Sequence, residues 1–231
     1  MTAPQPEYAA PAVDKALDIL ELLADRSGGL SQLDIATAVG RSAGQIFRVL
    51  MRLERRGYVH RDQQGGYHLS MRLFDLAHRH EPLRSLVTGS APPMRALALD
   101  VRQSCNLGVI EGDDVRIVAQ VESPADFGFR VRVGALFPAA ETATGRVLQA
   151  FDGGADAASS AIRESGVLVR PDAAQPGITD IVAPILRADR SSAVAALTVP
   201  YVATSYSTRS AQDVAGAVLR TAREIERALG I

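Results

Sequence analysis

The 231-residue chain has one cysteine, no tryptophan, four histidines and a single lysine, Lys15. One thiol, Cys105, excludes an intrachain disulfide and a cysteine-rich zinc site. All four histidines fall between residues 60 and 80, so everything after His80 lacks the commonest general base. Long apolar runs are missing too. No stretch approaches the ~20 residues that a membrane-spanning helix needs. Met1 to Pro11 is rich in proline and alanine without a basic region, and the apolar stretch that follows is broken by Asp14, Lys15, Asp18 and Glu21. That pattern does not make an export signal, so the expectation is a soluble cytoplasmic protein with no membrane partner. Charge of one sign is lacking as well: 25 Lys plus Arg stand against 26 Asp plus Glu, for a net charge of −1. This argues against a uniformly basic nucleic-acid binder but leaves local patches open. A hydrophobic content of 47% against 22% charged excludes a disordered chain, and the length allows one large domain or two modest ones.

What is present is unevenly placed. From Arg41 to Arg72 there are Arg41, Arg48, Arg52, Arg55, Arg56, Arg61 and Arg72 against Glu54 and Asp62, a window of +5 in a chain that sums to −1. The same region reads as three helices and a hairpin. Val13, Ala16, Leu17, Leu20 and Leu23 recur at helical spacing and stop at Ser27-Gly28-Gly29. Ser31 opens a second helix with Asp34 as its capping-box partner, and Gly40 ends it. Ser42 opens a third with Gln45 in the capping position, Ile46, Val49, Leu50 and Leu53 as the buried stripe, and Gly57 as the stop. Tyr58-Val59-His60 and Tyr67-His68-Leu69 are two short strands around Gln64-Gly65-Gly66. This order is that of a winged helix-turn-helix. The face of the third helix left after burial carries Gln45, Arg48, Arg52 and Arg55, residue types that read base edges and clamp phosphates. The same arginines would also suit a plain solvated face. The coincidence of charge window, third helix and wing favours DNA binding.

Met71 to Arg79 continues as a short helix, and residues 78–82 form a boundary. A second helical stretch spans about Leu83 to Val101, with a break allowed at Ala91-Pro92-Pro93. Beyond it, Asn106 to Ile110 and Val115 to Val121 read as a hairpin around an Asp/Gly turn. Phe129 to Val133 reads as a third strand with Arg130 and Arg132 on its polar face. Helices are expected over Thr142 to Phe151 and Ala155 to Ser165, strands over Ile178 to Leu186 and Val194 to Tyr201, and a long amphipathic helix over Ser210 to Leu229. The expected fold is α+β, with a largely antiparallel sheet covered by helices.

The residues resemble the IclR-type bacterial transcription regulators. Val13-Asp14-Lys15-Ala16-Leu17-Asp18-Ile19-Leu20 matches that family's first-helix signature, and Ser42 to Tyr58 is similar to its recognition helix. Gly134-Ala135-Leu136-Phe137-Pro138, Thr142-Ala143-Thr144-Gly145-Arg146 and Gly177 to Ile185 are similar to its effector-domain stretches. The likeness covers about residues 12 to 231. It implies a flexible tail over 1–11, a winged helix-turn-helix over 12–70, a linker helix over 71–82, and a GAF-like effector-binding and oligomerisation domain over 83–231. It further implies a homodimer, in some members paired into a homotetramer. The partners would be palindromic or repeated operator DNA and a small-molecule effector of unknown class, with repression as the outcome and no cofactor or metal. The DNA-binding residues would be Ser42, Gln45, Phe47, Arg48, Arg52, Arg55 and Arg61. By motif position, the effector site falls at Ala143, Thr144, Asp180, Thr198 and Pro200, with Phe127 and Phe129 at its mouth. Here the chain departs from the pattern: Arg146 replaces a usual lysine, Ala140 a frequent histidine, Ala173 a common acid, and Asp180 a frequent cysteine.

Two of these positions stay open on residue type. Asp180 reads either as a turn or helix-N-terminal acceptor or as a ligand partner, and in the second case it favours a hydroxyl or amine over an anion. Thr198 reads equally as a plain β-branched strand residue or a pocket hydroxyl. Cys105 reads as a small buried hydrophobe, with no nearby cation to activate it. Enzyme chemistry is disfavoured: there is no G-x-S-x-G elbow, no H-E-x-x-H and no phosphate-binding glycine loop. The remaining alternative is a winged unit that binds protein rather than DNA, attached to a ligand-binding domain.

Overall fold

The computed structural model describes residues 10–126, 128–204, 207 and 209–231. Its Cα framework divides between Glu81 and Pro82 into two compact units. No described helix is long and apolar enough to cross a membrane.

The first unit holds α1 (Pro11–Ala24), α2 (Gln32–Ala38), α3 (Ala43–Arg55), β1 (Val59–Arg61), β2 (Tyr67–Leu69) and α4 (Arg72–Arg79). Residues 1–9 of the expected tail lie outside the described residues, and Pro11 belongs to the helix rather than to the tail. It occupies the first turn of α1, where a missing N–H leaves no bond unmade. The helix periods converge on one core: Ile19 and Leu23 of α1, Ile35 and Ala36 of α2, and Ile46, Leu50 and Leu53 of α3 pack with Val59 and Tyr67 of the hairpin. The Ser31 capping box forms in full, with the Asp34 N–H donating to Ser31 Oγ and the Ser31 N–H to Asp34 Oδ2, each at 3.2 Å. The expected box at α3 does not. Ser42 is the N-cap, but the Gln45 N–H donates to the Ser42 carbonyl at 3.1 Å, so the hydroxyl receives nothing. At the wing tip, Asp62 Oδ1 accepts from the N–H groups of Gln64 (2.9 Å) and Gly66 (2.8 Å), an Asx-type clamp, while Gly65 takes a left-handed φ of 89°.

The second unit comprises α5 (Leu83–Val101), β3 (Cys105–Glu111), β4 (Asp114–Val121), β5 (Leu136–Pro138), α6 (Ala143–Ala150), α7 (Ala157–Ser165), β6 (Leu168–Pro171), β7 (Ile178–Leu186), β8 (Ala193–Val202) and α8 (Ala211–Leu229). The strands form one sheet in the order β5-β4-β3-β8-β7-β6, antiparallel throughout. Strand alternation gives each face its own core. Ile181, Ala183, Ile185, Leu197 and Leu107 pack on Met94, Leu97 and Val101 of α5 and Val214, Val218 and Ile225 of α8. Val182, Leu186, Ala196, Val115 and Ile117 pack on Val147 and Leu148 of α6 and Ile162 of α7. The close seat of α6 depends on glycine at two places. A Cβ on Gly145 would lie 2.1 Å from the Ala139 carbonyl oxygen, and one on Gly108 would lie 2.9 Å from Thr144 Cγ2.

Three expectations are corrected. The α5 helix runs unbroken through Pro92 and Pro93. Two N–H groups are lost there, and burial of Leu86, Met94, Leu97 and Val101 outweighs that cost. Residues 129–133 are not a strand. The Val131 N–H is satisfied by Gln120 Oε1 at 2.8 Å rather than by a ladder, and β4 pairs instead with β5. A short edge strand, β6, lies where no element was expected and ends at Pro171, which edge positions tolerate.

Candidate nucleic-acid interface and ligand site

Burial of Ile46, Leu50 and Leu53 fixes the rotation of α3, and the opposite side presents Gln45, Arg48, Arg52 and Arg55, all exposed. Their spacing of three and four residues makes one stripe along the helix. Phe47 (47% exposed) and Met51 (48%) flank it, and exposed Ser42 stands at the N-terminal end. Among the described residues no carboxylate pairs with Arg48, Arg52 or Arg55. Arg52 and Arg55 also lie in the last turn, where cations complement the helix dipole. Arg61 is held more firmly: its Nε donates to the Gly65 carbonyl at 3.1 Å, and its guanidinium lies 5.4 Å over the Tyr67 ring. Beside it, His68 Nε2 meets Asp62 Oδ2 at 2.7 Å, and this bond, with the Gly66 and Gln64 N–H groups, holds the Asp62 carboxyl below its usual range.

In the second unit, the ladder registers gather a row of polar side chains on the sheet face that α6 covers. Asn106 of β3 stands opposite Gln120 of β4 on one side and Thr198 of β8 on the other. Thr198 Oγ1 and Thr144 Oγ1 of α6 form a buried hydrogen bond at 2.8 Å. One pleat repeat further along, Asp180 of β7 lies between Pro200 of β8 and Arg170 of β6. Asp180 is 8% exposed. Burial, then the charge and hydrogen bond of Asp172, push its carboxyl up to about 7, with Arg170 pulling the other way. Not every polar atom here is satisfied: Asn106 Oδ1, Gln120 Nε2 and Arg170 Nε are buried without a hydrogen-bond partner. One pleat repeat beyond Asp180 and Pro200, Ile178 and Val202 line a cavity of about 510 Å³ together with Gln103, Gly128 and Phe129.

Of the seven residues expected at a ligand site, Thr144, Thr198, Asp180 and Pro200 thus share one row, and Phe129 lines the cavity at its end. Ala143 is buried in the α6 core, and Phe127 lies outside the described residues. Asn106 and Gln120 were missed. Asn106 was signalled as a polar residue between the buried Cys105 and Leu107, whereas alternation from Val115 and Ile117 puts Gln120 on the other face, and only the extra residue in β4 turns it inward. Cys105 is fully buried, with its thiol pushed up to about 12 by desolvation, so it is inert at neutral pH. The described residues contain no cluster of three or more side chains able to hold a metal.

The first unit is thus a winged helix-turn-helix, and the second an antiparallel sheet covered by helices with a buried polar row on one face. The model of the IclR helix-turn-helix domain matches residues 12–63, and that of the bacterial transcriptional regulator IclR C-terminal region matches residues 83–161. Together they cover more than half of the sequence, and the chain belongs to the IclR family, which comprises transcriptional regulators rather than enzymes. It is 31% identical to the glycerol operon regulatory protein of Streptomyces coelicolor over 142 residues, 61% of this chain and 56% of that protein. It is 33% identical to the HTH-type transcriptional regulator BhcR of Paracoccus denitrificans over 113 residues, 48% of this chain and 40% of that one. The chain therefore spans about half the length of the curated relatives it matches. Its fold is similar to that of an IclR homologue from Microbacterium hydrocarbonoxydans crystallised with 4-hydroxybenzoate, with a TM-score of 0.75 at 20% identity over 95% of this chain and 99% of that one. It is likewise similar to the Thermotoga maritima IclR, with a TM-score of 0.74 at 19% identity over 95% and 98%.

Proposed function

We propose that the chain is a ligand-responsive transcription regulator, a repressor acting in the cytoplasm, whose first unit binds operator DNA and whose second unit binds a small effector. The observation that carries the DNA reading is the α3 stripe of Gln45, Arg48, Arg52 and Arg55, which faces solvent without carboxylate partners among the described residues. Ser42 at the N-terminal end of the helix and Phe47 beside the stripe extend the contact face, and Arg61 places a cation on the wing. Arginine in such a position reads guanine edges or clamps phosphate, and an apolar neighbour suits a thymine methyl. The polar row is the effector site, formed by Thr144, Asp180, Thr198 and Pro200 with Ala143 in the helix above and Phe129 at the entrance. The names of the glycerol operon regulatory protein and of the 4-hydroxybenzoate complex support control of transcription by a small organic molecule.

The chain works as a homodimer in this reading. The α4 helix buries none of its residues, and Leu73, Phe74 (54% exposed) and Leu76 stand open, as do Val13 and Leu17 of α1. An eight-residue helix without buried contacts does not hold itself in water, so a second copy is the natural cover. Two recognition helices related by two-fold symmetry then match palindromic or repeated sites. Effector binding shifts the population of dimers that fit the operator. Sedimentation should give a dimer, or a tetramer of paired dimers, and Phe74→Glu should dissociate it.

Selection from random duplex DNA should return a symmetric or repeated motif bound with steep salt dependence. Arg48→Ala or Arg52→Ala should weaken that binding by about 1–3 kcal/mol where the residue contacts a base. Unchanged affinity in both variants would remove the α3 assignment and favour a protein-binding winged unit.

A further inference from the structure

The polar row carries chemical information beyond its position, and the inference drawn from it rests on the effector-site reading. Asn106 (4% exposed) and Gln120 face one another across β3 and β4. The amide of Gln120 is oriented by the Val131 N–H, which donates to Oε1 at 2.8 Å and leaves Nε2 as a donor without a partner. Asn106 Oδ1 is an acceptor without a partner. An unmade acceptor and an unmade donor therefore stand side by side on neighbouring strands. A hydroxyl can donate to the first and accept from the second through one oxygen. A carboxylate only accepts, and an ammonium only donates, so each leaves one of the two unsatisfied.

The next groups in the row accommodate a hydroxyl as well. In the Thr144–Thr198 pair one hydroxyl hydrogen is used in the mutual bond, and the accepting hydroxyl keeps its own hydrogen for another partner. Further along stand two carboxyls, Asp180 and the neighbouring Asp172, whose proximity helps to raise the pKa of the first. The cation facing them is Arg170; its Nη2 donates to the Glu141 carbonyl at 2.9 Å, and its buried Nε is a further donor without a partner, which a hydroxyl oxygen can meet. An anion in the row would meet two carboxyls. From Asn106 to Asp180 the path crosses two strand spacings and one pleat repeat, roughly 12 Å between Cα atoms. With side chains converging from both ends, that span matches the length of an extended chain of about five or six carbons with its terminal hydroxyls.

We infer that the effector is a small neutral polyol or sugar, with successive hydroxyls bridging the Asn106–Gln120 amides, the threonine pair and Asp180. Compounds with one six-carbon skeleton and different ends test this in the full-length protein: sorbitol (neutral), gluconate (anionic) and glucamine (cationic), with xylitol and glucose as further neutral probes. At saturating millimolar concentration at least one neutral probe should raise Tm by ~5 °C or more, and gluconate and glucamine should shift it by less than a fifth of that. The near-isosteric Asn106→Leu should abolish the shift, which separates site binding from general stabilisation by a cosolute. Asp180→Asn should retain the neutral probe and newly admit gluconate, a gain that misfolding cannot mimic. A larger shift from gluconate or glucamine than from every neutral probe, or no shift from any probe, overturns the inference. A carboxylate shift that Asn106→Leu abolishes overturns the neutral class and leaves the effector site standing. A shift from any probe that survives both Asn106→Leu and Thr198→Val places binding elsewhere and overturns the effector-site reading itself.

Discussion

The two units handle polar side chains in opposite ways. On α3, guanidinium groups stand in water, unpaired by any carboxylate among the described residues and cheap to maintain, because an exposed charge keeps its hydration. On the covered face of the sheet, Asn106 and Asp180 are buried with the half-buried Gln120 beside them, and two amide atoms, Asn106 Oδ1 and Gln120 Nε2, gain no partner among the described residues in return. A surface site therefore costs the fold little and can change freely. A buried site subtracts from stability and has to be held by the packing around it. That difference sets where substitutions in each unit should act.

The largest expected effect tests the packing around the buried site. Gly145 has no room for a side chain, since its Cβ would sit 2.1 Å from the Ala139 oxygen and 2.5 Å from the Ala139 Cα. Backbone cannot swing aside as a flexible side chain does, so Gly145→Val should destabilise the second unit by at least ~3 kcal/mol. Calorimetry should then show one transition displaced downward. The hydrogen-exchange protection of Ile46 and Leu50 in the first unit should persist. Equal loss in both units would mean that they unfold as one and that the comparison is too sharp.

Asp180 comes next, and here the sign is opposite to that of most core substitutions. Its folded-state pKa is raised from 3.8 to about 7, so between those values the folded chain binds more protons than the unfolded one. Stability then falls as pH rises through that window and levels off above it. Asp180→Asn should remove the slope and raise stability at pH 8 by roughly 2 kcal/mol, read from urea unfolding at pH 5 and pH 8. An unchanged slope in the variant would show that the carboxyl is better solvated than its burial implies.

These two sites also mark how far residue types and spacing reach. The α3 stripe was legible because a helical period and four residue types suffice to place it. The stops at Gly40 and Gly57 were legible because both need a left-handed φ. The buried row was legible only in part. Its membership depends on the register of β4, β3, β8 and β7 together, including the irregularity beside Leu107 and Gly108 that gives β4 an extra residue. Alternation at Phe129, Val131 and Val133 mimicked a strand, because side-chain pattern does not reveal that Gln120 would take the Val131 N–H. Conversely, Pro92 and Pro93 suggested a break that the buried face of α5 overrides. Local signals survive wherever local bonds decide, and fail where a distant strand does.

The Thr144–Thr198 bond offers a smaller and more selective test. Thr198→Val keeps the shape and removes one hydroxyl, leaving Thr144 Oγ1 without its 2.8 Å partner. The cost in stability should be about 1 kcal/mol, with any effector affinity reduced and operator affinity in the absence of effector unchanged. A loss of operator binding without effector would mean that α6 influences the DNA-reading unit directly.

The smallest effect compares the units most closely, because both use the same device. Ser31 with Asp34 opens α2, and Ser210 with Asp213 opens α8. In each box the serine hydroxyl accepts the third helical N–H at 3.2 Å and donates to the aspartate at 2.7 Å. Ser31→Ala and Ser210→Ala should therefore each cost about 0.5–1 kcal/mol in their own unit. The functional readouts should diverge. The α2 helix seats α3 through the shared core of Ile35 and Ile46, so Ser31→Ala should weaken operator binding at unchanged effector affinity. The α8 helix packs on the sheet face opposite α6, through Val214, Val218 and Ile225, so Ser210→Ala should lower the unfolding midpoint of the second unit and leave both affinities within twofold. If Ser210→Ala instead altered effector binding as much as Thr198→Val, the two faces of the sheet would be coupled through the strands, and the buried site would extend beyond the row that α6 covers.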